Sequence, residues 1–172
     1  MIRFAEMKDL KSIVAIYNQA VPHKNATADL HPITPKQGIE RFNEHNPKSY
    51  PFYVREMDGK VVGWCSLSPY RYGRLALKNT AEIVYYVDFS YHRKGVASSL
   101  VQYALDDCAR INKRVLFAIL LEINTISIKL LEKFGFERWG FLPEVADFDG
   151  ELCGHVYMGK KILNKNIMRA SL

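Results

Sequence analysis

Residues 80–97 constrain this chain more than any other stretch. Thr80–Asp88 is dense in Val, Ile and Tyr and reads as a strand. It leads through Phe89-Ser90-Tyr91 into His92-Arg93-Lys94-Gly95-Val96-Ala97, which opens a helix. Over Gly95–Ile111, Val96, Leu100, Ala104 and Cys108 fall on one line, with Ala97, Val101 and Leu105 beside it. A glycine at a helix start lets the backbone come close to a ligand, and the free N–H groups of the first turn, with the helix dipole, favour an anion. Arg93 and Lys94 add two positive charges at that point, and a pyrophosphate would fit. The competing reading is a tight strand-to-helix turn with solvated basic residues. The stretch is neither a Walker loop nor a GxGxxG fingerprint.

The remaining elements can be placed around it. Ile2–Phe4 is a short strand. Asp9–Ala20 carries Leu10, Ile13, Val14, Ile16 and Tyr17 at helical spacing and ends at Pro22. Residues 22–35 hold three prolines and read as loop. Thr34 is the expected N-cap of a helix to about Glu44, with Pro35 at its first position. Phe52–Glu56 and Lys60–Leu67 flank Met57-Asp58-Gly59, a hairpin signal. Ser68–Lys78 is a loop. Val115–Leu121 is a buried strand, and Asn124–Phe134 a helix capped by Asn124 and closed by Gly135. Phe136–Leu142 and Leu152–Lys160 finish as strands. The order β α α β β β α β α β β predicts an α/β (α+β) domain with a mixed, largely antiparallel sheet.

Charge and cysteine usage narrow the function. The chain has 24 Lys and Arg against 18 Asp and Glu, net +6. The segment Lys160–Leu172 holds Lys160, Lys161, Lys165 and Arg169 and no acid, which leaves the rest at only +2. A basic face for nucleic acid therefore has little support, and no stacking-and-basic motif for RNA is present. The longest apolar run, Val115–Leu121, is far short of the roughly 20 residues that span a bilayer. Charged residues interrupt any apolar run at the N-terminus, so no signal peptide is expected. Cys65, Cys108 and Cys153 form no CxxC pair, so no metal site or disulfide framework is expected, and a cytoplasmic location with reduced thiols fits. Cys65 and Cys108 read as core residues, not nucleophiles.

Several short motifs now fall in order. They are Ile16-Tyr17-Asn18-Gln19-Ala20-Val21, Asn25-Ala26-Thr27, Thr80-Ala81-Glu82, Tyr85-Tyr86-Val87, the glycine turn at 92–97, Asn124-Thr125-Ile126-Ser127 and Gly135-Phe136. Together they resemble the GNAT superfamily of acetyl-CoA-dependent N-acetyltransferases, and within it the phosphinothricin acetyltransferase branch. The resemblance covers about residues 1–163 and leaves 164–172 as a basic C-terminal tail.

The resemblance implies a sheet flanked by helices, with a splay between strands 4 and 5 that takes the pantetheine arm. It places the backbone of Tyr85, Tyr86 and Val87 on that arm and the thioester carbonyl. The amides of Arg93, Lys94, Gly95, Val96, Ala97 and Ser98 would hold the pyrophosphate, beside His92, where the family usually has Gln or Arg. Asn124 and Ser127 would contact the coenzyme further along. Glu82 is the implied catalytic base, a carboxylate raised by burial that takes a proton from the incoming ammonium. The competing reading pairs Glu82 with Lys78 or Arg71. Many members place a Tyr general acid where this chain has Leu131. Tyr85, Tyr86, Tyr157 and His155 could replace it by chemistry, though not by motif.

For the acceptor, the resemblance points to the loop pair Tyr70-Arg71, with Tyr72 beside it, and to Thr27 on the opposite wall. Arg can bind a carboxylate or phosphinate bidentately, although a solvated basic turn would look the same. Ala28 stands where the branch often has Phe, and the branch often has Trp near Leu152 and Asp near Gly154. The expected activity is acetyl transfer from acetyl-CoA to a small primary amine, an amino acid or an analogue such as phosphinothricin or methionine sulfoximine. Attack would be direct, within a ternary complex, by a homodimer with no metal. A protein or peptide N-acetyltransferase, a non-catalytic coenzyme A-binding domain and a nucleic-acid-binding module are the alternatives.

Overall fold

A computed structural model describes residues 1–162. The elements are β1 (Ile2–Phe4), α1 (Leu10–Ala20), α2 (Pro35–Asn43), β2 (Phe52–Met57), β3 (Lys60–Pro69), β4 (Thr80–Val87), α3 (Val96–Asp107), β5 (Val115–Leu121), α4 (Thr125–Lys133), β6 (Glu137–Phe148) and β7 (Glu151–Lys161).

Local chemistry sets most of the boundaries. Thr34 caps α2 with a reciprocal pair: its hydroxyl accepts from the Gln37 amide at 3.3 Å, and Gln37 Oε1 accepts from the Thr34 amide at 2.8 Å. Asp58 and Gly59 both take positive φ, as a two-residue hairpin turn requires. Asn124 Oδ1 accepts the Ser127 amide at 3.3 Å and starts α4. Gly135, at φ 75°, ends it.

Two boundaries differ from the sequence reading by more than two residues. The helix expected to reach Ile111 stops at Asp107. Asn112 turns left-handed at φ 52°, and the Lys113 amide caps the Cys108 carbonyl at 2.8 Å. The strand expected to end at Leu142 runs on to Phe148. Pro143 is tolerated because β6 is an edge strand, and the register shifts between Leu142 and Ala146 around Glu144 at φ 54°. Asp149-Gly150 then forms a second tight hairpin of the same type as Asp58-Gly59.

The strands form one sheet in the order β1-β2-β3-β4-β5-β7-β6. Every neighbouring pair is antiparallel except β4 and β5, which run parallel. Their pairing lasts only from Thr80↔Val115 to Glu82↔Phe117. Beyond that point Ile83–Val87 and Ala118–Leu121 have each other no longer as partners, so the expected splay is present. The sheet carries a core on each face. Ile83, Leu67 and Cys65 pack with Leu100, Val101, Ala104 and Leu131 of α3 and α4. Phe52, Val54 and Trp64 pack with Ile13, Ile16 and Tyr17 of α1. Trp64 Nε1 donates to the Ile13 carbonyl at 3.1 Å and fixes α1 on the sheet.

Lys160 and Lys161, counted above with the basic C-terminal segment, belong to β7, opposite Leu116 and Val115. The tail expected at 164–172 lies outside the described residues. Cys65, Cys108 and Cys153 are free and buried. Among the described residues no helix is long and apolar enough to cross a membrane.

Candidate active site

Strand alternation divides the side chains of β4. Glu82, Val84 and Tyr86 face α1, whereas Ile83 and Tyr85 face α3 and α4. On the α1 side lies a cleft of about 510 Å³ between α1, α2 and the sheet. Thr27, Arg41, Trp64, Ser68, Tyr86 and His155 are among its lining residues, with Glu82.

Glu82 occupies the last paired position of β4 and β5, so it stands where the two strands part. Burial pushes its carboxyl up from the ordinary range. Among the described residues it makes no hydrogen bond or ion pair; Lys113 takes the Lys78 carbonyl at 2.8 Å, and neither Lys78 nor Arg71 reaches Glu82. An unpaired carboxylate with a raised pKa is suited to accept a proton.

The other end of the cleft holds a hydrogen-bonded cluster. Tyr17 donates to Asp29 Oδ2 at 2.7 Å and accepts from the buried Thr27 hydroxyl at 2.6 Å. Arg41 donates to the same Asp29 oxygen at 2.9 Å and lies 5.3 Å over the Tyr17 ring. Burial raises the Asp29 carboxyl, but the bonds from Tyr17 and Arg41 outweigh it and leave the group below the ordinary range. The Tyr86 hydroxyl donates to the Ala26 carbonyl at 2.8 Å, which ties the loop after α1 to β4.

Beyond Glu82, the edge of β4 that faces β5 is free. Tyr85 turns its hydroxyl toward α4, where it is buried without a hydrogen-bond partner of ordinary geometry; Ser127 is its polar neighbour. Burial pushes this phenol up to about 12. The Val87 carbonyl already faces His92 Nε2 at 3.0 Å. The chain then crosses Arg93 at φ 59° and Gly95 at φ 76° and enters α3. A side chain at Gly95 would meet nothing within 4 Å, so the left-handed backbone, not crowding, calls for glycine there. Helical bonding begins only with the Ser99 amide, at 3.0 Å from the Gly95 carbonyl, and no side chain caps α3. The amides of Val96, Ala97 and Ser98 are left to point out of the helix start, an anion cradle in form.

The family of "Acetyltransferase (GNAT)" matches residues 11–136. The chain belongs to the acetyltransferase (GNAT) family. It is 39% identical to "Putative phosphinothricin acetyltransferase YwnH" of Bacillus subtilis over 94% of this chain and 98% of that protein. It is 29% identical to "L-methionine sulfoximine/L-methionine sulfone acetyltransferase" of Salmonella typhimurium over 84% of each. A solved GNAT superfamily phosphinothricin acetyltransferase from Sinorhizobium meliloti, in complex with AcCoA, superposes with a TM-score of 0.87 at 25% identity, covering 94% of this chain and 88% of that one. The protein is thus an acyl-transferring enzyme of the phosphinothricin acetyltransferase-like branch, and its splayed sheet is the GNAT fold.

Set against the sequence reading, the GNAT fold brings Glu82 and Thr27 into one cleft. Tyr85–Val87 lie on the free edge of β4, residues 92–98 form the turn into α3, and Ser127 neighbours Tyr85. Tyr70, Arg71 and Tyr72 do not line the cleft. Tyr70 stands edge-on to Phe117 at 4.9 Å, beside the end of the β4–β5 pairing, while Tyr72 is 92% exposed. Asn124 is occupied as a helix cap through Oδ1. The sequence reading missed Tyr17, Asp29 and Arg41 as a cluster. Tyr17 sits in a quoted motif, but the spacing of 10 to 24 residues between Tyr17, Thr27 and Arg41 gives no local sign that they meet. Cys65 and Cys108 are buried, with thiols raised by that burial, and neither lines the cleft.

Proposed function

We propose that this enzyme moves an acetyl group from acetyl-CoA to the primary amine of a small amino acid or analogue, of the phosphinothricin or methionine sulfoximine type, by direct attack in a ternary complex. One observation carries the reading: Glu82, unpaired and raised, stands where the amine cleft meets the gap between β4 and β5. The names of the relatives support the substrate class.

In this reading the free edge of Tyr85, Tyr86 and Val87 pairs with the amide-bearing arm of the coenzyme. The amides from Arg93 to Ser98, with the charges of Arg93 and Lys94, take the pyrophosphate. Asn124, through its free Nδ2, and Ser127 border the arm from the other side. Glu82 accepts the ammonium proton, and the freed amine attacks the thioester carbonyl. The carbonyl collapses with loss of the thiolate. Thr27 forms one wall of the acceptor site, and Tyr70, Arg71 and Tyr72, which do not line the cleft, would meet the acceptor from the loop before β4. The buried, raised thiols favour direct attack over an acetylated cysteine.

The exposed Trp139, Phe141, Leu142 and Val145 on the edge strand β6 support a homodimer, to be read by sedimentation of the full chain. Free buried cysteines fit a cytoplasmic location. The decisive experiment follows thiol release from acetyl-CoA with a panel of amines. Release with amino acids, abolished in Glu82→Gln while coenzyme binding persists, is the expected result. A Glu82→Gln enzyme as fast as the parent would overturn the role of Glu82, and release only with peptides or proteins would overturn the substrate class.

A further inference from the structure

The edge of β4 that β5 leaves open is not wholly free. The Asp88 amide donates to the Val62 carbonyl beside β4 at 3.0 Å, so the adjacent pair Gly63↔Val87 makes no ladder bonds. The N–H and C=O of Val87 therefore turn away from β3 and toward the gap. Tyr85, two residues earlier, turns its backbone the same way. An extended chain laid in the gap would pair with these groups, and one of them is engaged. His92 Nε2 lies 3.0 Å from the Val87 carbonyl. A carbonyl only accepts, so the imidazole carries its proton on Nε2 and is the donor. A donor lies ahead of the carbonyl it serves, so the imidazole stands on the gap side of β4.

The ring is held lightly, on a firm base. It rests against Phe89 at 4.8 Å, and Phe89 meets His23 at 4.8 Å. The turn beneath is fixed from α1, where Gln19 donates to Asp88 Oδ2 at 3.2 Å and accepts the Phe89 amide at 3.0 Å. His92 itself is exposed, and its side chain makes no other hydrogen bond among the described residues. It can leave Val87 without unmaking the turn.

We propose that His92 is a displaceable plug on the coenzyme's arm site: an amide N–H of the arm replaces the imidazole N–H on the Val87 carbonyl, and the ring swings out to water. The assignment rests on the reading above, that the arm lies between β4 and β5. No covalent bond changes. One N–H···O bond is exchanged for another, so the arm gains at Val87 less than it would at an unclaimed carbonyl. Acetyl-CoA and coenzyme A carry the same arm, so the plug weakens both alike. The difference appears mainly in release, and the plug speeds the exchange of product for fresh cosubstrate.

His92→Leu in the full chain removes the donor and keeps an apolar side chain against Phe89. Calorimetry compares three ligands: coenzyme A, phosphopantetheine, which has the arm without the nucleotide, and ADP carrying the coenzyme's ribose phosphate, which has the nucleotide without the arm. The first two should bind about fivefold tighter than to the parent, the size of one net neutral hydrogen bond. The armless nucleotide should bind as before. His92→Ala should agree, and in the parent the imidazole resonances of His92 should shift on adding phosphopantetheine. Equal binding of the arm by parent and variants would mean that the Val87 carbonyl serves both donors at once. Weaker binding of both coenzyme A and the nucleotide would mean that His92 holds a phosphate. Either overturns the plug. A parent to which coenzyme A binds no tighter than the armless nucleotide would instead overturn the placement of the arm, and a parent that binds coenzyme A but releases no thiol from acetyl-CoA with any amine would overturn the proposed activity.

Discussion

The two ends of the cleft between α1, α2 and the sheet hold similar chemistry in opposite states. At one end Asp29 is bonded by Tyr17 and Arg41, and its carboxyl is held below the ordinary range. At the other Glu82 has no partner among the described residues, and burial holds it above that range. The first arrangement makes a wall, because the Tyr17 proton, the Thr27 hydroxyl and Asp29 Oδ2 are committed to one another and to Arg41. The second leaves a group whose needs only a ligand or water can meet. An enzyme keeps such a group at a cost in stability, and the contrast gives each end its own signature.

The largest effect is expected at Glu82. Glu82→Gln should lower kcat by about 10²–10⁴, the usual worth of a positioned base, with coenzyme affinity kept. The same substitution should stabilise the protein at neutral pH. The fold favours the protonated carboxyl of Glu82, so its contribution is present below the ordinary Glu pKa and is lost as pH rises through the raised one. Asp29 has the opposite sign. The fold favours its ionised form, so its contribution is present above the ordinary Asp pKa and is lost as pH falls through the depressed one. Chemical unfolding of Glu82→Gln and Asp29→Asn between pH 3 and 8 checks both. The gain from Glu82→Gln should grow with pH, and the loss from Asp29→Asn should shrink as pH falls. Two curves of the same slope would erase the contrast. The activity of the parent should likewise rise with pH through the raised Glu82 titration, and Asp29→Asn should leave that limb in place.

A middle-sized effect is expected at the paired end. Tyr17→Phe removes the hydroxyl shared by Thr27 and Asp29 and leaves both short of a partner. The loss should be about 1–2 kcal/mol, or roughly 2–4 °C of melting temperature per kcal/mol for a chain of this size. kcat should change by much less than in Glu82→Gln. A large kcat loss at full stability would move Tyr17 from the wall to the chemistry.

The same contrast explains which parts were legible in the sequence. Turns are written in adjacent residues, so Asp58-Gly59, the Thr34-Pro35 cap and Gly95 could be read directly. The extension of β6 past Pro143 could not, because it depends on β6 being an edge strand, which is a property of the whole sheet. The splay and the place of Glu82 came from resemblance to a family; spacing alone left Glu82 open to a pairing with Lys78 or Arg71. The Tyr17–Asp29–Arg41 cluster was out of reach, since the residues meet only after α1 and α2 pack. The lack of a hydrogen-bond partner at the buried Tyr85 Oη is likewise a tertiary property, which no local pattern records.

The smallest effect separates two arginines and carries the comparison to the acceptor itself. Arg41 lines the cleft, but one nitrogen of its guanidinium is bonded to Asp29 and the group lies over the Tyr17 ring. Arg71 lies outside the cleft in an exposed loop and has no side-chain hydrogen bond or ion pair with any described residue. If unmet groups serve ligands and met groups serve the fold, the free one is the anchor for an acceptor carboxylate. Arg71→Ala should then raise KM for amino acids about threefold, which corresponds to about 0.7 kcal/mol of lost pairing at an exposed site, with kcat and melting temperature unchanged. Arg71→Lys should recover only part of it, because an ammonium cannot form the two parallel bonds of the guanidinium. Amines that lack a carboxylate or phosphinate should not notice either change. A KM that moves equally for both kinds of amine would mean that Arg71 shapes the loop, and that the acceptor's negative charge is met elsewhere in the cleft.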